Sequence, residues 1–295
     1  MGTRQGLALF EREHRRIMKP HLEKLLEECT FEASSIDEVP IDKVNGTVDR
    51  TSFACIRGLF SKQEMKEAHK RVAGNFSSAN DHPAIGDTGR DVMSNYQKLA
   101  IGGAMTSWDY RPRFYRIFYT PLWAPDIFGV HDIFRRFARL RNRLQGYPPN
   151  FAVDTVDEGL WTAARMQHYP AGGGFFMAHR DVVIDTVTHD AGQRRFHQLL
   201  LLMTTKGEDF RDGGGFVDVG EDRLMFEERC GAGDVILYSG ATIHGVADID
   251  PHVAASLDRV DGRLVALASL YKDMSKDKKP YEGYEGREAP PLLVE

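Results

Sequence analysis

The sequence predicts an α+β fold in which an N-terminal helical half supports a C-terminal β core. Two observations carry that expectation. In the first half, apolar residues recur at helical spacing among many charges, as at Leu9, Phe10, Ile17, Leu22, Leu25 and Leu26. From Trp161 onward, short strand-like runs alternate with glycine-rich turns, a rhythm that builds a β-sandwich, a jelly roll or a small barrel. The chain's 295 residues suffice for a well-buried core, and no linker divides them. One domain is expected: helical support over 1–150, a β core over 151–272 and a charged tail over 273–295.

Residues 7–29 read as a helix that Pro20 should kink or divide. Residues 53–56 are a short apolar strand ending at Gly58. Ser61 with Glu64 fits a capping box that opens a second helix, running to about Val72. The stretch 75–149 is less regular and crowded with aromatics and arginines, with a helix expected over 132–144 whose apolar side carries Phe134, Phe137 and Leu140. Within that stretch, residues 109–115 read as a support layer on the β core with arginines reaching water. Binding of an acidic or aromatic substrate is the alternative there. The strands of the β core are expected at 165–169, 175–183, 196–204, 215–219, 235–238 and 264–271.

Composition narrows the function classes. A net charge of -5, with both signs mixed along the chain, gives no reason to expect nucleic acid or an anionic membrane as partner. Cys29, Cys55 and Cys230 are too widely spaced for a zinc ribbon or a disulfide framework, and free buried thiols are expected. No run approaches the ~20 apolar residues of a membrane span, and the first residues lack the apolar core of a secretory signal. A soluble, cytoplasmic protein follows as the expectation, with oligomeric state left open.

Chemistry enters with His179-Arg180-Asp181. Residues at i and i+2 share one face of an extended strand, so this histidine and carboxylate point the same way. His244 stands just past the turn Gly231-Ala232-Gly233-Asp234 and the strand-like run 235–238. Two histidines and one carboxylate on one side of an ion, with the opposite positions open, are the facial set of non-haem Fe(II) oxygenases. His21-Leu22-Glu23 shares the spacing but falls in a helix, where i and i+2 do not face each other. His168, His189, His197 and His252 are read as structural or loop residues, His168 pointing away from its neighbours Gln167 and Tyr169.

From about Trp161 to Tyr271 the chain resembles the Fe(II)/2-oxoglutarate-dependent oxygenase superfamily. The residues that carry the resemblance are, in order, Arg165-Met166-Gln167-His168-Tyr169-Pro170, His179-Arg180-Asp181, Asp212-Gly213-Gly214-Gly215-Phe216, Gly233-Asp234-Val235-Ile236-Leu237-Tyr238, His244-Gly245-Val246 and Gly262-Arg263-Leu264-Val265. The resemblance implies a double-stranded β-helix (a jelly roll) and Fe(II) held by His179, Asp181 and His244, with 2-oxoglutarate and O2 as cosubstrates. It implies further that Arg263 takes the far carboxylate of 2-oxoglutarate, a task suited to a planar guanidinium, and that Tyr169 and Gln167 bind the cosubstrate. The chain departs from the family at Val265, where many members carry a serine that shares the carboxylate, and Arg259 is a second candidate for that role. The retained Asp181 points to oxygen insertion or another hydrogen-abstraction outcome, hydroxylation of a small molecule being the default. Two other readings stay open: an iron oxidase independent of 2-oxoglutarate, and a jelly-roll binding protein without catalysis.

Overall fold

A computed structural model of the chain describes residues 18–82, 92–102, 111–181 and 197–273. Its helices of more than one turn are α1 (Pro20–Glu28), α2 (Ile41–Thr51), α3 (Lys62–Asn75) and α4 (His131–Gln145). Its strands are β1 (Thr30–Glu32), β2 (Phe53–Arg57), β3 (Tyr96–Gly102), β4 (Arg113–Tyr119), β5 (Leu160–Pro170), β6 (Gly174–His179), β7 (His197–Leu202), β8 (Gly214–Val219), β9 (Asp222–Met225), β10 (Val235–Ser239), β11 (His244–Ile249) and β12 (Gly262–Lys272).

Strand order defines the architecture. The hydrogen-bonded path runs β1-β2-β10-β7-β12-β5-β4-β6-β11-β8-β9, with β3 on β4. Eight of these strands, β5 to β12, wind back and forth between two four-stranded layers. One layer is β10-β7-β12-β5, the other β6-β11-β8-β9. That winding is a double-stranded β-helix, as expected. At the larger layer, β2 and β1 extend one edge. β4 extends the other and bridges the layers, pairing Arg116 with His168 on β5 and Arg113 with Phe176 on β6.

Period-2 alternation sorts the side chains of the larger layer. On β5 and β12, Ala164, Met166, Leu264, Ala266 and Ala268 face outward and pack under the helices. Trp161, Ala163, Tyr169, Val265 and Leu267 face the interior between the layers. Helix α4 lays Phe134, Phe137 and Leu140 on the outer face, and α3 adds Met65, Ala68 and Val72. Ser61 caps α3 through its hydroxyl, which accepts from the Glu64 N–H at 3.0 Å.

Several expectations need correction. Pro20 opens α1 rather than kinking it, in the first turn where its missing N–H has no partner to lose; residues 1–17 lie outside the described residues. The first half carries the expected strand β2 and three further strands, β1, β3 and β4, that also join the sheet. Arg113–Tyr119, expected as irregular, is strand β4. Its arginines do not reach water: Arg113 and Arg116 are buried, and Arg116 grips Asp81 with two hydrogen bonds of 2.8 and 2.6 Å. His244, just past β10 as expected, begins a further strand, β11. All three cysteines are free and buried. No described helix is long and apolar enough to cross a membrane. The tail beyond 273 and His189 lie outside the described residues.

Candidate metal centre

The smaller layer brings the expected residues together. His179 closes β6 and His244 opens β11, and the two are register partners across that antiparallel pair. Asp181 follows two residues after His179, its N–H held by the Gly240 carbonyl at 2.9 Å. Ligand atoms from His179, Asp181 and His244 all lie within 4.8 Å of one another.

Backbone carbonyls orient both rings. His179 Nδ1 sits 2.7 Å from Met177 O, and His244 Nδ1 sits 2.9 Å from Thr242 O. A carbonyl only accepts, so each Nδ1 carries the proton and each Nε2 presents its lone pair inward. The two Nε2 atoms lie 3.4 and 3.3 Å from the Asp181 oxygens. Phe176 packs on the His179 ring at 4.0 Å and Tyr238 on the His244 ring at 4.5 Å, which fixes both planes.

Asp181 is buried. Burial alone would raise its pKa, but the contacts with His179 and His244 outweigh that and hold it well below the ordinary carboxylate range. Burial pushes the His179 pKa down, against the pull of Asp181. A neutral imidazole and an ionised carboxylate are the protonation states that ligate a cation. Gln198 on β7 donates to Asp181 Oδ2 at 2.9 Å, and Arg111 stands 3.9 Å from Oδ1. The donor set of two nitrogens and one oxygen therefore fits a first-row divalent ion such as Fe(II).

Arg263 is buried on the interior face of β12, in register with Tyr169. Its guanidinium lies 5.1 Å from the Tyr169 ring centre, and the Tyr169 hydroxyl donates to Gln167 Oε1 at 3.0 Å. The expected trio thus faces one space, but Arg263 is not free. Glu227, in the 3-10 turn Phe226–Glu228, accepts from Arg263 Nε at 2.7 Å. Nη2 approaches the same Glu227 oxygen at 2.6 Å yet remains without an aligned acceptor. The contact is one of charge rather than a second hydrogen bond. Gly215 on β8 makes room for this guanidinium, since a Cβ there would lie 2.8 Å from Nη2. The orphaned Nη2 fits an incoming carboxylate oxygen, while the charge of Glu227 opposes one. Arg259 is excluded as a rival, being exposed and paired with Asp261 at 3.1 Å.

Among the described residues, His21, His168, His197 and His252 stand outside the ligand cluster. His168 points outward, its Nε2 bonded to Asp261 O at 2.6 Å, and His21 makes a surface contact with Asp222. His197 is buried near Asp49 and His252 is exposed. Sequence reasoning missed Gln198, Tyr238, Glu227 and Arg111 as neighbours of the site. For Gln198 and Tyr238 the signal was available, because each is the polar member of an otherwise apolar inward face. Glu227 left no local signal. A second group, Cys55, Cys230 and Asp234, also gathers metal-type atoms. There the Arg57 guanidinium, 3.3 Å from Asp234 and 3.8 Å from the Cys230 sulfur, already occupies the position a cation would take.

No protein-family profile and no curated protein matches the chain. Among solved structures, it is similar to a prolyl-4-hydroxylase from Pseudomonas putida (13% identity, 78% of this chain and 98% of that one, TM-score 0.43). It is also similar to a prolyl hydroxylase from Trichoplax adhaerens in complex with a hypoxia inducible factor peptide fragment (13% identity, 88% and 96%, TM-score 0.45). A third is EctD from S. alaskensis with bound Fe (18% identity, 79% and 76%, TM-score 0.40). At such identities and TM-scores these likenesses establish no activity for this chain.

Proposed function

We propose that the chain is a mononuclear non-haem iron oxygenase that uses 2-oxoglutarate and O2 to oxidise a small organic molecule. The observation that carries the reading is the His179–Asp181–His244 cluster, buried at one end of a double-stranded β-helix with both Nε2 atoms turned inward. Structural metal sites are usually closed by four protein ligands, and three leave open positions. When bound, Fe(II) with 2-oxoglutarate and O2 supplies oxidative decarboxylation coupled to oxidation of an unactivated C–H bond.

The chain's own residues do the arranging. His179, Asp181 and His244 hold the ion, and the Met177 and Thr242 carbonyls keep the imidazoles in the ligating tautomer. Gln198 holds the second Asp181 oxygen, so the carboxylate is pinned before any ion arrives. Arg263 offers Nη2 to the far carboxylate of the cosubstrate, with Tyr169 and Gln167 alongside. Since Val265 has no hydroxyl, the Tyr169 O–H takes the place of the missing serine. Hydroxylation is the outcome we assign.

The test is an anaerobic titration of the metal-free protein with Fe(II), then 2-oxoglutarate, followed by the visible charge-transfer absorption of the chelate. A saturable band absent in His179→Ala is expected. Tight iron binding with no band would instead favour an oxidase independent of 2-oxoglutarate, and absence of iron binding would end both readings.

A further inference from the structure

A second buried guanidinium faces the same interior, and among the described residues it has no directly paired acid. Arg165 lies on the inner face of β5 and is 4% exposed. Its hydrogen bonds are long, from Nη1 to Ala163 O at 3.4 Å and to Ser269 Oγ at 3.3 Å, and its guanidinium stacks 5.3 Å over Tyr271. Among the described residues no carboxylate lies within ion-pair distance of it. Other buried arginines are provided for. Arg116 has Asp81, Arg263 has Glu227, and Arg141 donates to Asn142 Oδ1, Thr162 Oγ1 and Ala268 O at 2.7 to 3.1 Å. An ion removed from water without compensation is strongly unfavourable; the charge of Asp181 acts on Arg165 from a distance, but among the described residues no carboxylate pairs with the guanidinium directly, which leaves room for an anion to do so.

An independent observation falls at the same place. Tyr119 on β4 is the register partner of Arg165, so both side chains leave the sheet on one face. The Tyr119 hydroxyl is fully buried and has no hydrogen-bond partner among the described residues. A guanidinium, an orphaned phenol and the Ser269 hydroxyl thus meet, all of them able to donate. The guanidinium can only donate and both hydroxyls can donate beside it, so the cluster suits an anion with several acceptor oxygens.

Its position separates this cluster from the cosubstrate end. Ser269 and Tyr271 lie six and eight residues beyond Arg263 on β12, roughly 20 to 26 Å along the strand. Strand β7 pairs Leu202 with Val265, and its antiparallel course carries Gln198, the Asp181 partner, toward the Ser269 end. The metal ligands therefore lie toward the Arg165 cluster, and Arg263 anchors the far end. Trp161 packs edge-on to Tyr271 at 5.8 Å beside the cluster, an apolar wall for the body of a ligand.

We propose that the substrate of this site carries a carboxylate, received by Arg165 with the Tyr119 and Ser269 hydroxyls. The proposal rests on the oxygenase reading for the word substrate, but the anion site itself does not. The Arg165 fork donates to two carboxylate oxygens at once, and the phenol supplies a third donor. A neutral amide brings no charge and replaces one acceptor oxygen with an NH2 that cannot accept, so the discrimination should be large.

The experiment uses the full-length Mn(II)-loaded protein and calorimetric titration with acid and amide pairs: acetate and acetamide, hexanoate and hexanamide, 3-phenylpropionate and 3-phenylpropionamide. At least one acid should bind tenfold or more tightly than its amide. Arg165→Met should erase that preference, Arg165→Lys should keep part of it, and Tyr119→Phe should cut it severalfold. 2-Oxoglutarate affinity, titrated separately, should stay within threefold in each variant. Absence of any acid preference in the wild type overturns the proposal. So does an Arg165→Met variant that loses 2-oxoglutarate binding and keeps the acid preference, which would make Arg165 the cosubstrate anchor. Should Arg165→Met fail to fold, Arg165→Lys and Tyr119→Phe carry the decision. If 2-oxoglutarate does not bind the wild type at all, the cosubstrate reading falls while the acid-amide comparison still decides this one.

Discussion

Glu227 sets how much charge Arg263 can offer. It is buried beside the guanidinium and also accepts from the Gly215 N–H at 3.1 Å. Glu227→Gln keeps the shape and removes the counter-charge, leaving an uncompensated buried cation, a change that typically costs about 3 to 5 kcal/mol. An anion that enters the site restores the balance and should stabilise the variant by mass action. The expected result is a lowered melting temperature that 2-oxoglutarate, with Mn(II), raises more in Glu227→Gln than in the wild type. Equal shifts in both proteins would remove Arg263 from the cosubstrate site. His168 carries a second residue-scale prediction. Burial is the main cause of its depressed pKa, about 3, with Arg116 and His69 adding to the effect. Its Nδ1 faces Arg116 Nη1 at 3.3 Å and its Nε2 faces the Asp261 carbonyl, so the folded ring is neutral with the proton on Nε2. Unfolded histidine titrates near 6.5. Between about pH 6.5 and 3 the unfolded chain therefore binds the extra proton, and stability falls as pH falls, by up to roughly 1.4 kcal/mol per pH unit. Chemical denaturation at pH 7.5 and 5.5 should show that slope reduced in His168→Gln. An unchanged slope would mean the ring is charged in the fold.

At the scale of elements, glycine turns hold the smaller layer against its neighbours. Gly213, between β7 and β8, has φ +83°, and a Cβ there would lie 2.2 Å from Asp248 O and 2.6 Å from Ala247 O. Both oxygens belong to β11, which is locked to β8 through Ala247 and Gly214. Gly213→Ala should cost about 2 to 4 kcal/mol from strain and overpacking together. Gly220→Ala, also at positive φ but with open space around it, should cost about 1 to 2 kcal/mol less; similar losses would put the whole effect on backbone conformation. Such motifs explain why the later strands were legible: turns and alternating apolar runs are local, and β5 to β8, β10 and β12 announce themselves that way. Strand β4 was not legible because Arg113 and Arg116 read as surface residues until Asp81 and the Phe76 ring are placed beside Arg116. The metal ligands were legible because His179 and Asp181 share a strand face whatever the tertiary fold. The engagement of Arg263 was not, because Glu227 lies 36 residues away in sequence and meets it only through the closure of the two layers.

Across the whole molecule, the two layers differ in how they are held. The larger layer has the long β5–β12 ladder, from Gly262 opposite Pro170 to Lys272 opposite Leu160, and helices covering its outer face. In the smaller layer β6, β8 and β11 contain glycine, and the β6–β11 pairing shifts register twice between His244 and Ile249. The candidate ligands span this weaker part: His179 from β6, His244 from β11, and Asp181 tied to β7 of the larger layer through Gln198. An ion bound there cross-links both layers in the native state and has no such site in the unfolded chain. Stabilisation then follows RT ln(1 + [M]/Kd), about 2.7 kcal/mol when the free metal is a hundredfold above Kd. Removing metal with a chelator should lower the melting temperature of the wild type and leave His179→Ala unchanged. Amide exchange should show where the loss falls, with protection reduced in β6 and β11, which carry the histidine ligands, and retained in β5 and β12, which carry none and keep their long ladder. A chelator effect of equal size in His179→Ala, or one spread evenly over both layers, would place the stabilising ion elsewhere in the molecule.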